Sequence, residues 1–363
     1  MKILLGADLV PTKHTSPDFA AGDIRKLFGK VCDIVPNYDR FIVNLECALT
    51  ESENRIKKFG PNLKAPIETA KTLKALGVTD VALSNTHTFD FGLEGLRDTT
   101  KALDDAGLPY FGIGENDTDS RKPYFIEGEG KKIAIINVCE HEYTYALPNR
   151  PGATPFDPFL TMQDIRAAKA VSDFVIVIYH GGKEYSGYPS PRLRNLCREM
   201  VYCGADAVIT QHSHCIGCYE EFEGAHILYG QGNFNFSYPE LSTRKECWKT
   251  ALLVILNVTE KNDIEFIPIY DTGYGCDIAE GEKKEKILAE FSERNEELLD
   301  GRWVDGWERF CHSDIMPNYL NVARHTVDYP EKDEFLAHYL DCEAHLDVLQ
   351  TLFKTWNHTN ELE

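Results

Sequence analysis

Residues 204–214 have the sequence GADAVITQHSH, in which a glycine and a tight turn lead into a short apolar run that ends at two histidines. Leu193, Leu196 and Met200 precede this stretch at helical spacing, so Gly204 is predicted to end a helix. The β-branched run that follows predicts a buried strand. A helix, a tight turn and a buried strand in succession are typical of an α/β domain.

An earlier stretch repeats this order of elements. Residues 77–87, GVTDVALSNTH, again pass from a glycine through an apolar run to a histidine, and Pro66 and Leu73 belong to the helical pattern before them. Further strands are predicted at residues 2–5, 40–45, 132–138, 174–179, 227–229 and 251–258. Strands that alternate with helices predict an α/β fold with a largely parallel or mixed sheet.

Polar side chains follow nearly every predicted strand in the first two thirds of the chain. In open α/β sheets, ligand sites lie at the carboxyl ends of the strands, so we expect these side chains to share one site. The set contains carboxylates, amides and imidazoles: Asp8, Asn44, Glu46, Asn85, His87, His180, His212, His214 and Asn233. This mixture of oxygen and nitrogen donors suits Mn, Zn or Fe better than calcium.

Each of these residues also has an ordinary interpretation. An aspartate after a strand commonly caps a helix, an asparagine commonly stabilises a turn, and a single buried histidine is commonly satisfied by hydrogen bonds. The recurrence of polar residues at equivalent strand ends favours a shared site. A competing interpretation groups His212, His214, Cys215 and Cys218 as a structural zinc site.

The composition limits the classes of partner. The chain has 363 residues, with 38 basic and 58 acidic side chains and a formal charge of −20, which disfavours binding to nucleic acid or to anionic membranes. No apolar run approaches the ~18 residues needed to cross a bilayer, and no secretory hydrophobic region follows Met1. The 11 cysteines are scattered, as in reduced proteins, so we expect a cytoplasmic location.

The last quarter of the chain has a different composition. Residues 281–363 hold 9 basic and 19 acidic side chains, a net charge of −10, and three of the four tryptophans. Helical patterns are predicted at residues 285–299 and 331–356. We therefore expect residues 1–270 to form the α/β domain and residues 271–363 to form an acidic helical extension packed against it.

Ordered motifs in residues 1–270 resemble the poly-γ-glutamate capsule-biosynthesis (CapA-type) family, which is related to the calcineurin-like metallophosphoesterases. The motifs are Asp8 after the first strand, Asn44-Leu45-Glu46, His87-Thr-Phe-Asp90-Phe-Gly92, His180-Gly-Gly-Lys-Glu184-Tyr185, His212-Ser-His214 and Gly230-Gln-Gly232-Asn233-Phe234. The resemblance implies a four-layer α/β/β/α sandwich of the metallophosphoesterase type with a C-terminal helical appendage. It also implies a metal-type site at the edge of the sheets.

The same resemblance implies roles for individual residues. The positions that match metal ligands are Asp8, Glu46, His180, His212 and His214, with Glu46 as the bridging carboxylate. His87 matches the histidine that stabilises or protonates the leaving group, and Asp90 and Glu184 complete the predicted catalytic set by orienting histidines. The candidates for substrate binding are Asn44, Asn85, Lys64, Lys183 and Asn233. Lys58 joins the two lysines as a possible clamp for a carboxylate or phosphate, although a solvated lysine is the ordinary alternative.

Three positions depart from the family pattern. The related enzymes place an asparagine ligand directly before the His87 position, whereas this chain has Thr86 there and Asn85 one residue earlier. Val10 stands two residues after Asp8, where the phosphoesterases have histidine, and Gly181 stands where the family often has tryptophan. The site is therefore expected to hold one or two divalent ions (Mn, Zn or Fe) or none.

Three functional hypotheses follow from the resemblance. The first is a metal-dependent hydrolase of γ-glutamyl amide bonds, acting on poly-γ-glutamate or on a small acidic substrate. The second is a metal-dependent phosphoesterase, which is the activity of the wider superfamily. The third is a noncatalytic protein of polymer binding or assembly, in which the departures from the motifs have disabled the metal site.

Overall fold

The computed structural model describes residues 1–140, 143–238, 246–259, 261–323 and 332–358. In these residues the strands are β1 (Lys2–Leu9), β2 (Arg40–Leu45), β3 (Ala48–Leu49), β4 (Lys64–Ala65), β5 (Asp80–Ala82), β6 (Tyr110–Phe111), β7 (Ile113–Gly114), β8 (Tyr124–Gly128), β9 (Lys131–Cys139), β10 (Gly152–Ala153), β11 (Phe174–His180), β12 (Ala207–Gln211), β13 (Ile216–Phe222), β14 (Ala225–Gln231), β15 (Asn233–Asn235), β16 (Thr250–Asn257), β17 (Asp263–Asp271) and β18 (Cys276–Ile278).

The helices of the same residues are α1 (Ser16–Ala21), α2 (Ile24–Phe28), α3 (Val31–Ile34), α4 (Thr69–Leu76), α5 (Gly92–Asp105), α6 (Asp117–Ser120), α7 (Pro158–Lys169), α8 (Pro191–Tyr202), α9 (Gly281–Asp300), α10 (Trp303–Arg309), α11 (Met316–Ala323), α12 (Lys332–Asp341) and α13 (Glu343–His358). A π-helical segment, Phe310–Ile315, joins α10 to α11. Gly77 ends α4 with a left-handed φ of +101°, as the sequence predicts.

Among the described residues, the strands form two short pairs, β3-β4 and β7-β10, and two large mixed sheets. One has the order β18-β17-β16-β1-β2-β5-β6, with β15 beside β1, and its strands β1, β2, β5 and β6 run parallel. The other has the order β13-β14-β12-β11-β9-β8, with β9, β11, β12 and β14 parallel and the two edge strands antiparallel. The predicted α/β fold is therefore confirmed.

Buried apolar side chains join the sheets to each other and to the helices. On β1, Ile3 and Leu5 belong to the core between the sheets, which also contains Ile176 of the second sheet. The intervening Leu4 points to the other face, where it packs in a core shared with α1, α2, α4 and α5. A third core, which includes Met200, packs α7 and α8 on the far side of the second sheet. Helices thus cover the outer faces of two sheets that are packed face to face.

The C-terminal helices pack partly against the sheets and partly against one another. Helix α9 contacts β13 and β17, and α10 to α13 share a core that contains Trp307, Tyr319 and Val348. The helix predicted at residues 331–356 is instead two helices, α12 and α13, separated at Cys342. The division into domains at residue 270 stays a prediction. Among the described helices, each is too short or too polar to cross a bilayer.

Candidate metal centre

The parallel strands bring the predicted site residues to one edge of the fold. The register places Asp8 of β1 beside Asn44 of β2 and beside Asn233 of β15. Glu46 directly follows β2, and His180 is the last residue of β11 in the second sheet. All these side chains are buried, so this edge contains a polar cluster enclosed by protein.

Within the described residues, two groups of side chains are arranged to hold a metal ion. One group is Glu46, His180 and His212, and the other is Asp8, Glu46 and His214. In each group, the ring nitrogens and carboxylate oxygens lie within 4.8 Å of one another. Glu46 belongs to both groups, which is the placement required of a bridging carboxylate.

Glu46 and His180 form a buried ion pair, with 3.2 Å between Glu46 Oε1 and His180 Nε2. Burial raises the pKa of Glu46, but the charge and hydrogen bond of His180 outweigh this effect and hold the pKa well below its ordinary value. Burial lowers the pKa of His180, but the carboxylates of Glu46 and Asp8 raise it to about 10. Each side chain of the pair thus favours the charged form of the other.

Asp8 and His214 form a second pair of the same kind. Asp8 Oδ1 accepts a hydrogen bond of 2.7 Å from the Asn44 amide, and Asp8 Oδ2 lies 3.5 Å from His214 Nδ1. Burial and the charge of Glu46 raise the pKa of Asp8, but hydrogen bonds with His180 and His214 bring it below its ordinary value. Burial lowers the pKa of His214, but Asp8 and Glu46 raise it to about 9. Metal binding would therefore displace protons from the site.

The backbone of the His-x-His motif is strained. His212 and His214 have left-handed φ angles of +81° and +56°, which cost about 1–3 kcal/mol each for residues other than glycine. The His212 N–H donates to Asp8 Oδ2 at 3.0 Å, and this bond fixes the loop against the site. Burial, together with the charges of His180 and His214, lowers the pKa of His212. His212 is thus neutral, the form in which imidazole binds metals.

Unpartnered atoms show that the residues present fit a divalent ion. Glu46 Oε2, His212 Nδ1 and Asn233 Nδ2 are buried and make no hydrogen bond with any residue that the structure describes. A buried polar atom without a partner costs about 1–3 kcal/mol. Two of these atoms belong to residues of one ligand group, Glu46 and His212. Imidazole nitrogens with carboxylate oxygens suit Zn, Mn or Fe and disfavour calcium.

Asn85 lies beside this cluster with its amide group already engaged. Asn85 Nδ2 donates to Asn44 Oδ1 at 2.9 Å, and Asn85 Oδ1 accepts the His87 N–H at 3.1 Å. Thr86 instead points toward the candidate ligands, with its hydroxyl 3.5 Å from His180 Nε2. Asn85 therefore supports Asn44, which in turn holds Asp8, and the threonine occupies the position beside the ligand groups.

His87 is held by a buried ion pair. His87 Nδ1 lies 2.6 Å from Asp90 Oδ2, and Lys58 Nζ donates to Asp90 Oδ1 at 2.6 Å. The side chains of Lys58 and Asp90 are 4% and 0% exposed, and Lys58 also donates to the carbonyl of Thr86 at 3.0 Å. Both His87 and Lys58 line a cavity above the ligand groups. This arrangement fixes the orientation of the His87 ring at the cavity wall.

Glu184 and Lys183 line the same cavity. Glu184 Oε1 lies 3.8 Å from His214 Nε2, and Glu184 Oε2 lies 3.8 Å from Lys183 Nζ. Burial raises the pKa of Glu184, but the charges of Lys183 and of nearby histidines bring it below its ordinary value. Glu184 is therefore a carboxylate placed between a candidate ligand and a lysine.

Asn233 and Lys64 were predicted together as substrate-binding residues, and the structure separates them. Asn233 Oδ1 lies 2.8 Å from His214 Nδ1, so Asn233 is placed to orient that imidazole. Lys64 lies in a neighbouring cavity of about 930 Å³. Its ammonium donates to the Ser52 carbonyl at 2.8 Å and to Glu53 Oε1 at 2.6 Å. Lys64 is thus engaged by its own loop.

The competing zinc site at Cys215 and Cys218 has no support in the geometry. Neither ligand group of the described residues contains a cysteine. The Cys218 thiol donates to the Gly187 carbonyl at 3.5 Å, and burial raises its pKa to about 12. A thiol of this kind stays protonated at neutral pH, whereas metal binding requires the thiolate.

The cavity above the ligand groups has a volume of about 540 Å³. Part of its lining was missed by the sequence analysis, namely Phe236, Trp248, Tyr319, His338 and His345. Trp248 packs on a candidate ligand, His214, with 4.3 Å between ring centroids. The two additional histidines, His338 in α12 and His345 in α13, lie far along the chain from the strand ends. Nothing in the sequence pattern links them to the site, so they could not be predicted as cavity residues.

Acidification is expected to weaken the packing of the C-terminal helices through His338. This side chain is 8% exposed, and burial, followed by the charge of Lys183, lowers its pKa to about 4. The other titratable groups that act on it are Glu184, Lys58 and His212. Because the unfolded histidine titrates near pH 6.5, the stability contributed by neutral His338 is present above pH 6.5 and is lost as the pH falls through 4.

Between pH 7 and pH 4.5, we expect the free energy of unfolding to fall by about 2–3 kcal/mol more in the wild type than in His338→Phe. Urea titrations at the two pH values measure this difference. His226→Phe, a substitution in β14, should keep the steeper pH dependence of the wild type. Equal pH dependence in the wild type and His338→Phe would contradict the assignment.

Comparison with known proteins reveals similarity to capsule-synthesis proteins. A family model described as bacterial capsule synthesis protein PGA_cap matches residues 2–238. The chain is 32% identical over 219 residues to the capsule biosynthesis protein CapA of Bacillus anthracis. This alignment covers 58% of this chain and 53% of that protein. It is also 32% identical over 186 residues to the PGA biosynthesis protein CapA of Bacillus subtilis strain 168, with coverage of 50% and 49%.

The chain thus spans about half the length of each of these relatives. Among solved structures, a hypothetical protein from Thermus thermophilus aligns with a TM-score of 0.48 and 15% sequence identity. That alignment covers 75% of this chain and 100% of the other.

Proposed function

This chain belongs to the bacterial capsule synthesis protein PGA_cap family, and from that membership we propose that it is a metal-dependent hydrolase of γ-glutamyl amide bonds. Its substrate in this proposal is poly-γ-glutamate or a small acidic γ-glutamyl compound. The proposal includes the cytoplasmic location expected from the composition. The phosphoesterase and the noncatalytic binding protein are the alternatives that the experiment below distinguishes.

The observation that carries the proposal is the pair of ligand groups that share Glu46 beneath a cavity of about 540 Å³. A divalent ion held by Glu46 with His180 and His212, or with Asp8 and His214, supplies Lewis-acid polarisation of an amide carbonyl and a water of lowered pKa. Hydrolysis of an amide needs both contributions because the amide is a weak electrophile with a poor leaving group. This donor set is the feature that favours a hydrolase over a protein that only binds polymer.

The residues around the cavity complete the proposed chemistry. In the protonated ring, His87 Nδ1 donates to Asp90 and His87 Nε2 holds a proton for the departing amine. Lys58 keeps Asp90 in place as a carboxylate. Lys58, which is paired with Asp90, and Lys183 both line the cavity, and in this proposal Lys183 provides the local positive charge for an acidic substrate.

Metal content is the first test of this proposal. Protein purified without chelators should contain Mn, Zn or Fe in at least stoichiometric amount by mass spectrometry of the digested protein. The loaded protein is then assayed with γ-glutamyl oligomers and with generic phosphodiesters. Release of glutamate or short γ-glutamyl products supports the proposal, whereas phosphodiester turnover without amide cleavage favours the phosphoesterase. Metal-free protein that still binds polyglutamate favours the noncatalytic alternative.

His87→Gln is expected to lower amide turnover by about 10²–10⁴-fold, the usual contribution of a general acid. Metal content should be unchanged, because His87 belongs to neither ligand group. Glutamine retains a polar group toward Asp90, so the ion pair with Lys58 should survive. His226→Gln, far along β14 from the strand end, serves as the matched control and should keep full turnover. Unimpaired turnover in His87→Gln would contradict the assigned role.

A further inference from the structure

The C-terminal helices form part of the wall of the cavity that contains the candidate metal centre. The residues that α11 to α13 and the short link between α12 and α13 contribute are Asn318, Tyr319, His338, Tyr339, Cys342, Ala344 and His345. The family match ends at residue 238, so this wall lies outside the matched region. Across the same cavity are Lys58, Lys183 and the candidate ligands His212 and His214.

Aromatic stacking attaches this wall to the loop that carries Lys58. Phe59 packs against Phe335 with 4.0 Å between ring centroids, and against His338 at 4.8 Å. Lys57, on the same loop, forms an ion pair with Glu334 of α12. The helices therefore close one side of the cavity as a packed surface.

Lys183 has a largely buried side chain, and its ammonium group faces the cavity without a hydrogen-bond partner among the described residues. Its side chain is 7% exposed, and it lines the cavity. Among the described residues, its nearest acidic oxygen is Glu184 Oε2 at 3.8 Å, beyond hydrogen-bond distance. Glu184 is itself shared with His214. Burying a charge is unfavourable unless it is paired and hydrogen-bonded, so Lys183 is suited to receive an anion from the cavity.

The groups that the helices place near Lys183 are polar but uncharged. Burial, followed by the charge of Lys183, lowers the pKa of His338 to about 4 and that of His345 well below its ordinary value. The His345 ring is held by a hydrogen bond between its Nδ1 and the Tyr319 hydroxyl. Neutral imidazoles can donate a hydrogen bond to an anion without repelling it. The wall thus adds hydrogen-bonding groups near an ammonium group whose nearest carboxylate, Glu184, lies 3.8 Å away.

We infer that Lys183 and the C-terminal helices form a subsite for a carboxylate group of the substrate, beside the metal centre. This inference rests on the proposed function and specifies its substrate as a short γ-glutamyl chain or the end of a longer one. A cavity of about 540 Å³ is in the range that encloses a small molecule, and the helices bound it on the side away from the sheets. We therefore expect a chain end, and not the middle of a long polymer, to occupy the cavity.

Binding measurements test the carboxylate subsite separately from catalysis. Full-length protein is titrated by calorimetry with tri-γ-glutamate and with the same tripeptide carrying carboxamides in place of carboxylates. Lys183→Met is expected to weaken binding of tri-γ-glutamate by about 10–100-fold, the range of a hydrogen bond to a charged group, and to leave binding of the carboxamide unchanged. Lys71→Met, at an exposed position of α4, is the matched control and should bind as the wild type does.

The role of the helices is tested at an exposed position of the wall. Asn318→Trp on α11 places a large ring at the cavity, and we expect at least a tenfold loss of tri-γ-glutamate binding with unchanged metal content. Asn321→Trp, at an exposed position of α11 that does not line the cavity, should bind normally. Long poly-γ-glutamate should compete in proportion to its number of chain ends.

Three results would overturn the inference: unchanged binding in Lys183→Met, unchanged binding in Asn318→Trp, or competition by long polymer in proportion to its number of residues. The proposed function fails in a different way. Binding that depends on Lys183 without any amide cleavage would remove the hydrolase and keep the subsite. Amide cleavage with normal binding in Lys183→Met would keep the hydrolase and remove the subsite.

Discussion

Glu46→Gln is expected to abolish stable metal binding and to destabilise the metal-free protein by about 3 kcal/mol. Glu46 is the one residue shared by the two candidate ligand groups, so its substitution affects both. Glutamine keeps the shape of the side chain but offers a neutral amide in place of a carboxylate. In the metal-free protein, His180 would lose the nearer of the two carboxylates that raise its pKa to about 10, and Asp8, at 3.6 Å, would be left as its nearest carboxylate.

Two measurements check this prediction. Mass spectrometry of the variant should find metal well below one ion per chain, and urea unfolding in the presence of a chelator should give the loss of stability. Glu68→Gln, at an exposed position before α4, is the matched control and should match the wild type in both measurements. A Glu46→Gln protein that retains a full complement of metal would show that Glu46 is not a required ligand, and the hydrolase proposal would lose its main support.

The position of the site could be predicted because its residues follow strands. Asp8, Glu46 and His180 each stand at or just beyond the end of a buried apolar run, and parallel strands end at one edge of a sheet. This local rule needs no knowledge of distant contacts. It also explains why the α/β class follows from the order of helices and strands alone.

The rule fails for side chains that reach the site from loops or helices. Lys64 lies close in sequence to predicted site residues, but its loop folds back so that Ser52 and Glu53 engage the ammonium. Lys58, six residues earlier, instead reaches Asp90 and the cavity. Spacing along an irregular loop does not determine which of two lysines points inward, because loop conformation depends on contacts that the sequence pattern does not reveal.

The contribution of the C-terminal helices could not be predicted for a related reason. Their patterns indicate helices, but the cavity wall depends on which helix face packs against the sheets. His345 comes within reach of Lys183 only after more than 150 residues of intervening chain have folded. The formal charge of −20 likewise describes the whole chain, whereas the cavity itself contains Lys58 and Lys183. The net charge of a chain excludes classes of partner, but it does not determine the electrostatic field inside one cavity.

Arg192→Met is expected to loosen the C-terminal helices and to destabilise the protein by about 3 kcal/mol. Arg192, in α8, donates from Nε to both oxygens of Asp347 in α13, each at 2.9 Å, and from Nη2 to Glu140. Asp347 and Glu140 are 6% and 2% exposed, so their charges depend on this partner. The expected loss of stability is at the lower end of the range for breaking a buried ion pair, because the Arg192 side chain is 32% exposed.

The two carboxylates should respond differently to the loss of Arg192. Burial raises the pKa of Glu140, but Arg192, the Gly182 N–H and the Tyr179 hydroxyl bring it below its ordinary value. For Asp347, burial outweighs Arg192 and the pKa is raised. In Arg192→Met, the pKa of both carboxyl groups should rise, but Glu140 keeps the Gly182 N–H and the Tyr179 hydroxyl, which favour its charged form. Adding Glu140→Gln to Arg192→Met should therefore restore more stability than adding Asp347→Asn.

Urea unfolding of the single and double variants measures these differences, and hydrogen exchange of α13 reports whether the helix has loosened. Because α13 carries His345 into the cavity wall, Arg192→Met should also weaken tri-γ-glutamate binding while metal content stays unchanged. Equal rescue by the two second substitutions would mean that the buried carboxylates are equivalent. Normal substrate binding with a loosened α13 would mean that the helices cover the cavity without contributing to recognition.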